Sequence, residues 1–333
     1  MTERRRIVVT AKHFDDRSLT YLQDRGFEVA VLPAGVGETT LSSSELQALL
    51  ADAQGWIVGH AYVTQPLLEA LPQLKIVARR GVGYERVDVA AVRALGRVAV
   101  IAAGGNDASV ADHVIGLMIA TARRFHAAQR AMLADDWTIP IGGDLYRKVV
   151  GVVGLGRIGR SVVQRLAGFE AEVLVSAPRL DDAFVRHAGV TPASLPELLG
   201  RSDFVTLHAP LTSETRLLID AAALGRMKPG AILINTARGG LVDDAALLAA
   251  LESGRLGGAG LDVFMSETDA DYKPVTQALL ASPRVVATPH SAASSAEALA
   301  RTNRIAAEAV VAVLEGRSPP QEMVVADGRQ GAD

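Results

Sequence analysis

Apolar residues along this chain fall in short continuous runs, separated by longer stretches in which they recur at helical spacing. Residues 6–10, 28–32, 56–58, 75–78 and 98–102 read as short strands, and 44–53 and 89–95 as amphipathic helices between them. A long amphipathic run follows at 108–134, then a loop at Gly142-Gly143. A second strand–helix series begins at 148–153 and continues through 172–175, 204–207, 231–235, 259–263 and 285–287. A last helical stretch covers 294–314, and the Pro/Gly-containing tail after Arg317 is expected to be loosely held. Strands alternating with helices predict an α/β protein with parallel sheets. Continuous Val/Ile runs are what a strand covered on both faces should show.

The second series opens on the sharpest local signal. Val150-Gly151-Val152-Val153 runs into Gly154, Gly156 and Gly159, a G-x-G-x-x-G between a strand and a helix at 157–166. Such glycines allow a tight turn, close backbone approach to a pyrophosphate, and close helix–strand packing. The N–H groups at Gly156, Arg157 and Ile158 then open a helix whose N-terminus favours a diphosphate. The next strand ends in Ser176-Ala177-Pro178-Arg179. An acid is expected at this strand end in a chain that selects NAD, where it would accept from the ribose hydroxyls. Ala177 offers no such group, and Ser176 and Arg179 suit a 2′-phosphate instead. NADP(H) is therefore the preferred cofactor, with NAD(H) admissible.

Composition narrows the class. The chain has 333 residues, 49% of them hydrophobic and 21% charged, with a net charge of −3. A near-neutral balance disfavours nucleic acid as a partner, and Arg4-Arg5-Arg6 reads as a solvated strand start. Without cysteine there is no thiol nucleophile, disulfide or Cys-type zinc site, and no metal is expected. No apolar run reaches the ~18 residues that span a bilayer, and no signal-peptide core follows the N-terminus. A cytoplasmic location without membrane attachment is the expectation.

Three clusters at strand ends carry candidate chemistry: Asn235-Thr236-Ala237-Arg238-Gly239-Gly240, Asp262 to Glu267, and Thr288-Pro289-His290. Ligands of open α/β sheets bind outside the carboxyl ends of strands, so an arginine, a carboxylate and a histidine placed there can converge on one substrate. With Arg80-Gly81-Val82-Gly83, the glycine motif, Leu207-His208-Ala209-Pro210-Leu211-Thr212, Met227-Lys228-Pro229-Gly230 and Gly260-Leu261-Asp262-Val263-Phe264, these stretches resemble the D-2-hydroxyacid dehydrogenase family over almost the whole chain.

The resemblance implies two Rossmann-like domains. The cofactor domain, residues 107–293, is inserted into a flavodoxin-like substrate domain made of 1–106 and 294–333. It implies His290 as general acid/base, Glu267 as its partner carboxylate, and Arg238 as the residue that binds the substrate carboxylate and polarises the carbonyl. It places Asp262 on the nicotinamide carboxamide and His208 and Pro210 beside the adenosine, with Thr236 and Ala237 also lining the cofactor. The backbone of Val82 and Gly83 holds the substrate carboxylate. Arg80 adds a cation there, either a second anionic contact or a solvated neighbour of Arg79, and His60 and Tyr62 are candidate pocket residues. Asp112-His113 reads as a helix start. The expected substrate is a small 2-oxo acid or its D-2-hydroxy acid, with glyoxylate and hydroxypyruvate leading. Phosphoglycerate dehydrogenases carry an arginine where Gly59-His60-Ala61 stands, so a phosphorylated substrate is disfavoured. Formate dehydrogenases pair the histidine with glutamine, unlike Glu267. A phosphite or other anion dehydrogenase of the family and a dinucleotide-sensing, corepressor-like scaffold are the alternatives. The family also implies a homodimer formed through the cofactor domain around 108–133.

Overall fold

The computed structural model describes residues 5–33 and 35–329. Arg4, the first member of the arginine cluster, lies outside the described residues, as do the last four of the tail. The chain forms two compact units, Met1–Asn106 with Ser294–Asp333, and Asp107–Ala293.

The first unit contains β1 (Arg6–Val9), β2 (Glu28–Val31), β3 (Gly55–Val58), β4 (Ile76–Arg79) and β5 (Val98–Ile101), all parallel, in the order β2-β1-β3-β4-β5. That is the flavodoxin-like order. β3 is buried along its whole length, which is why its sequence is continuously apolar.

The second unit contains β6 (Val149–Val153), β7 (Glu172–Ser176), β8 (Thr191–Pro192), β9 (Phe204–Leu207), β10 (Ile232–Asn235), β11 (Gly258–Leu261) and β12 (Val285–Ala287). Their order is β8-β7-β6-β9-β10-β11-β12, and every pairing is parallel. The chain direction across the sheet reverses between β6 and β9, the crevice at which doubly wound sheets hold dinucleotides. The helix Arg157–Leu166 follows β6 and buries Val162, Val163 and Leu166, one stripe at helical spacing. It packs on the helix Asp107–Ala122.

The long run at 108–134 is not one helix. It breaks at Arg124, which takes φ +54°, into Asp107–Ala122 and Phe125–Leu133. The first piece buries Val110, Ala111, Val114, Leu117, Met118 and Ala122, all but Val110 in the unit's own core. The second piece buries none of its residues.

The chain returns to the first unit through the helix Ala296–Leu314, N-capped by Ser295, and β13 (Val324–Asp327), antiparallel to β5. The stretch after Arg317, expected to be loose, instead supplies this edge strand.

Candidate active site

β10, β11 and β12 are neighbours, and each ends in one of the candidate clusters. After β12, Thr288 N–H bonds to the Leu261 carbonyl at 2.9 Å and His290 N–H to the Asp262 carbonyl at 2.8 Å. These bonds hold His290 at φ +52°, a conformation that a residue with a Cβ adopts only at a cost of about 1–2 kcal/mol. Both Asp262 oxygens brace the same loop. Oδ1 accepts from Thr288 Oγ1 at 2.5 Å and Ser291 N–H at 2.8 Å, and Oδ2 from Ala292 N–H at 2.9 Å. Asp262 is buried, and its Oδ1 also lies 3.9 Å from His113 Nε2.

His290 Nδ1 lies 2.5 Å from Glu267 Oε2. An ionised carboxylate can only accept, so Nδ1 carries the proton of this bond and Nε2 is left for another partner. Glu267 Oε1 accepts from Phe264 N–H at 2.8 Å, which ties the carboxylate to the turn Met265–Glu267. The Glu267 hydrogen bond raises the imidazole above its ordinary value. Burial opposes this, the charges of Glu267 and Asp262 support it, and Arg238 opposes it. Burial alone would raise Glu267. Hydrogen bonds from His290 and Phe264, with the nearby charges of His290 and Arg238, outweigh burial and hold its carboxyl below the usual range.

Arg238 follows β10 in a loop folded on itself. Asn235 Oδ1 accepts from Ala237 N–H at 3.0 Å, and Asn235 Nδ2 donates to the Arg238 carbonyl at 2.8 Å. The next residue, Gly239, runs against Phe264 so closely that a Cβ would sit 2.2 Å from the Phe264 carbonyl carbon. Only glycine permits this contact, which brings Arg238 within electrostatic reach of both Glu267 and His290.

The glycine loop fits a dinucleotide. Gly154 has φ +96°, and a Cβ there would meet the His208 backbone at 2.7 Å; a Cβ on Gly159 would meet the Gly154 carbonyl at 2.2 Å. Gly156, at the helix N-cap, faces open space. Thr236 Oγ1 is buried at the end of β10 without a hydrogen-bond partner among the described residues, a hydroxyl that a bound polar group would satisfy. Enclosure pushes His208 down to about 4, and Nε2 lies 3.0 Å from Thr206 Oγ1. A neutral, fixed imidazole suits packing rather than proton transfer. At the end of β7, Arg179 is exposed, with no side-chain partner among the described residues. The acid nearest in sequence, Asp181, is committed: it caps the helix Asp182–Ala188 and accepts from Arg160 Nη1 at 2.9 Å.

In the first unit, the amides of Val82 and Gly83 donate to no other described group, and the loop is half-buried. Arg80 Nε is dry and without a partner among the described residues, and its guanidinium feels the charge of Glu38. Tyr62 is exposed, with Arg86 stacked on its ring. His60 is exposed and its N–H donates to Glu38.

Three residues hold roles that the sequence does not signal. Glu38 is a buried carboxylate that accepts from Thr10 Oγ1 at 2.6 Å and from Gly59 and His60 N–H, so it fixes the loop after β3. His113 lies within the helix Asp107–Ala122, beyond its first turn, and its Nε2 is 2.9 Å from Thr288 Oγ1. Asp244 sits behind the turn that carries Glu267. None has a local motif; each is identified by a long-range hydrogen bond.

The chain belongs to the D-isomer specific 2-hydroxyacid dehydrogenase family, whose NAD-binding domain matches residues 115–292. It is 42% identical over 289 residues to D-3-phosphoglycerate dehydrogenase of Mycobacterium bovis, covering 85% of this chain and 53% of that protein. It is 38% identical over 260 residues to glyoxylate reductase of Korarchaeum cryptofilum, covering 76% of this chain and 77% of that one. The crystal structure of the TT0316 protein from Thermus thermophilus superposes with a TM-score of 0.86 at 35% identity, over 96% of this chain and 99% of that one. The chain spans about half the length of the phosphoglycerate dehydrogenases it matches. No helix among the described residues is long and apolar enough to cross a membrane.

Proposed function

We propose that the protein interconverts a small 2-oxo acid and its D-2-hydroxy acid, using a nicotinamide dinucleotide. The observation that carries this reading is the clustering of Arg238, Glu267 and His290 at neighbouring strand ends, in the unit that also holds the glycine loop. A bound reduced cofactor supplies the hydride to the oxo carbon. His290 Nε2 gives its proton to the keto oxygen, and Glu267 keeps the ring oriented and favours the imidazolium. The Arg238 fork binds the carboxylate and polarises the carbonyl. The unit Asp107–Ala293 is assigned to the cofactor, with Gly154, Gly156, Arg157, Ile158, Gly159, Thr236 and Ala237 lining it, and the other unit to substrate binding. The relatives named for glyoxylate and phosphoglycerate support the substrate class. The test is a panel of 2-oxo acids with NADPH and NADH, followed by the absorbance of the reduced nicotinamide. No turnover of any acid with either cofactor would overturn the proposal.

NADP(H) is the preferred cofactor in this reading. Ala177 supplies no ribose acceptor, Asp181 is committed elsewhere, and Arg179 is exposed beside Ser176. A charge-assisted contact to the 2′-phosphate is worth ~1.5–3 kcal/mol, or roughly tenfold to hundredfold in affinity. Arg179→Ala is expected to weaken NADPH binding by about that factor and to leave NADH nearly unchanged. Ala177→Asp should shift preference toward NADH. Tighter binding of NADH than NADPH by the wild type returns Arg179 to the ordinary surface.

The working unit is proposed to be a cytoplasmic homodimer. Phe125, Met132, Leu133, Trp137, Ile139 and Ile141 are all exposed within one short segment. Phe125, Met132, Leu133 and Trp137 line one apolar hollow, and an exposed apolar surface of this kind supports an interaction site. Light scattering at micromolar concentration should give the mass of a dimer, and Leu133→Glu with Trp137→Ser should give a monomer. A monomeric wild type rejects the assignment.

A further inference from the structure

Asp244 is a buried carboxylate, only 2% exposed, at the start of the helix Asp244–Glu252. That helix does not need it as a cap, because Asp243 already accepts from Ala245 and Ala246 N–H. The carboxylate is directed elsewhere. Its Oδ2 accepts Met265 N–H at 3.1 Å, while Glu267 Oε1 accepts the preceding amide, Phe264 N–H, at 2.8 Å. Two carboxylates therefore hold consecutive amides at the start of the turn that presents Glu267 to His290. The charged groups that act on Asp244 are Asp243 and Glu267, both acids. Arg238 acts on Glu267 and His290. A dry acid beside two others is hard to ionise, and an amide side chain could accept Met265 N–H equally well.

We propose that Asp244 is a positioning residue for the His290–Glu267 pair, fixing the turn beneath Glu267 and, when ionised, placing a negative charge beside Glu267 that strengthens the hold of that carboxylate on the His290 proton. This rests on the reading of His290 as the acid/base. Burial pushes the Asp244 carboxyl up to about 6; the Met265 amide counters this, and the charges of Asp243 and Glu267 add to it. The Asp244 charge is thus absent in mild acid and present above it, within the range over which an imidazole titrates.

The test follows the His290 ring-proton resonance against pH by NMR in the full chain, alongside the pH profile of reductive kcat/KM. The wild type should show two inflections, the histidine's own and a smaller one near pH 6. Asp244→Asn keeps an acceptor for Met265 N–H and removes the charge. It should lose the smaller inflection and lower the His290 midpoint by about 0.5–1 pH unit, the effect of one charge a few side chains away. The fall in reductive kcat/KM should move down with it, while rates at low pH, where both proteins hold the proton, coincide. Asp244→Glu, which restores the acid, should restore both inflections. A single inflection in the wild type, or an unchanged His290 midpoint in Asp244→Asn, overturns the proposal. The wild-type titration decides it even if Asp244→Asn does not fold. Absence of turnover would sink the proposed function alone, since the NMR titration needs no substrate.

Discussion

His290→Ala is expected to lower kcat for 2-oxo acid reduction by about 10²–10⁴-fold, the usual contribution of a positioned general acid. Cofactor affinity, measured by fluorescence titration, should barely move, because the ring bonds to Glu267 and not to the glycine loop. Near wild-type rates would show that another group supplies the proton. The companion variant fixes the sign of the pH dependence. Reduction needs the imidazolium, so reductive kcat/KM falls as pH rises through the His290 value, which Glu267 holds above the ordinary one. Glu267→Gln removes that support, and the fall should come at lower pH. A profile that stays in place would mean that the Glu267 contact does not control the proton.

Arg238→Lys should reduce kcat/KM by roughly tenfold to hundredfold, with losses in both KM and kcat. A lysine keeps the charge but cannot present two parallel N–H groups to a carboxylate and a carbonyl, and a charged hydrogen bond is worth ~1.5–3 kcal/mol. The loop that carries Arg238 is fixed by Asn235 on both sides, so lysine should leave its backbone in place. Unchanged kinetics would remove the arginine from the substrate.

What can be read from the sequence follows from how each element is covered. β3, β9 and β10 are buried throughout, and their residues are apolar but for Thr206 within β9 and Asn235 at the end of β10. Their ends are legible to within a residue or two, and so are the loops beyond them. β8 and β13 give no such signal. β8 is an exposed two-residue edge containing Pro192, and β13 is a half-buried edge whose pairing with β5 spans most of the chain. The break at Arg124 is hidden because apolar spacing continues through it, and a positive φ on arginine has no sequence mark. Arg238, Glu267 and His290 stand out because each sits in a short motif at a strand end. Glu38, His113 and Asp244 do not. Their meaning lies in partners at Gly59, Thr288 and Met265, which only the folded chain brings near.

The contact between Gly239 and Phe264 bears on how this protein can change. The loop proposed to bind the substrate and the turn proposed to govern the proton share one wall, with no room for a Cβ between their backbones. Randomising residues 236–240 to admit a new acid will disturb acid–base timing in the same stroke. Variants selected for altered substrates should therefore accumulate away from this wall, and those that fall on it should lose turnover before they gain a new specificity.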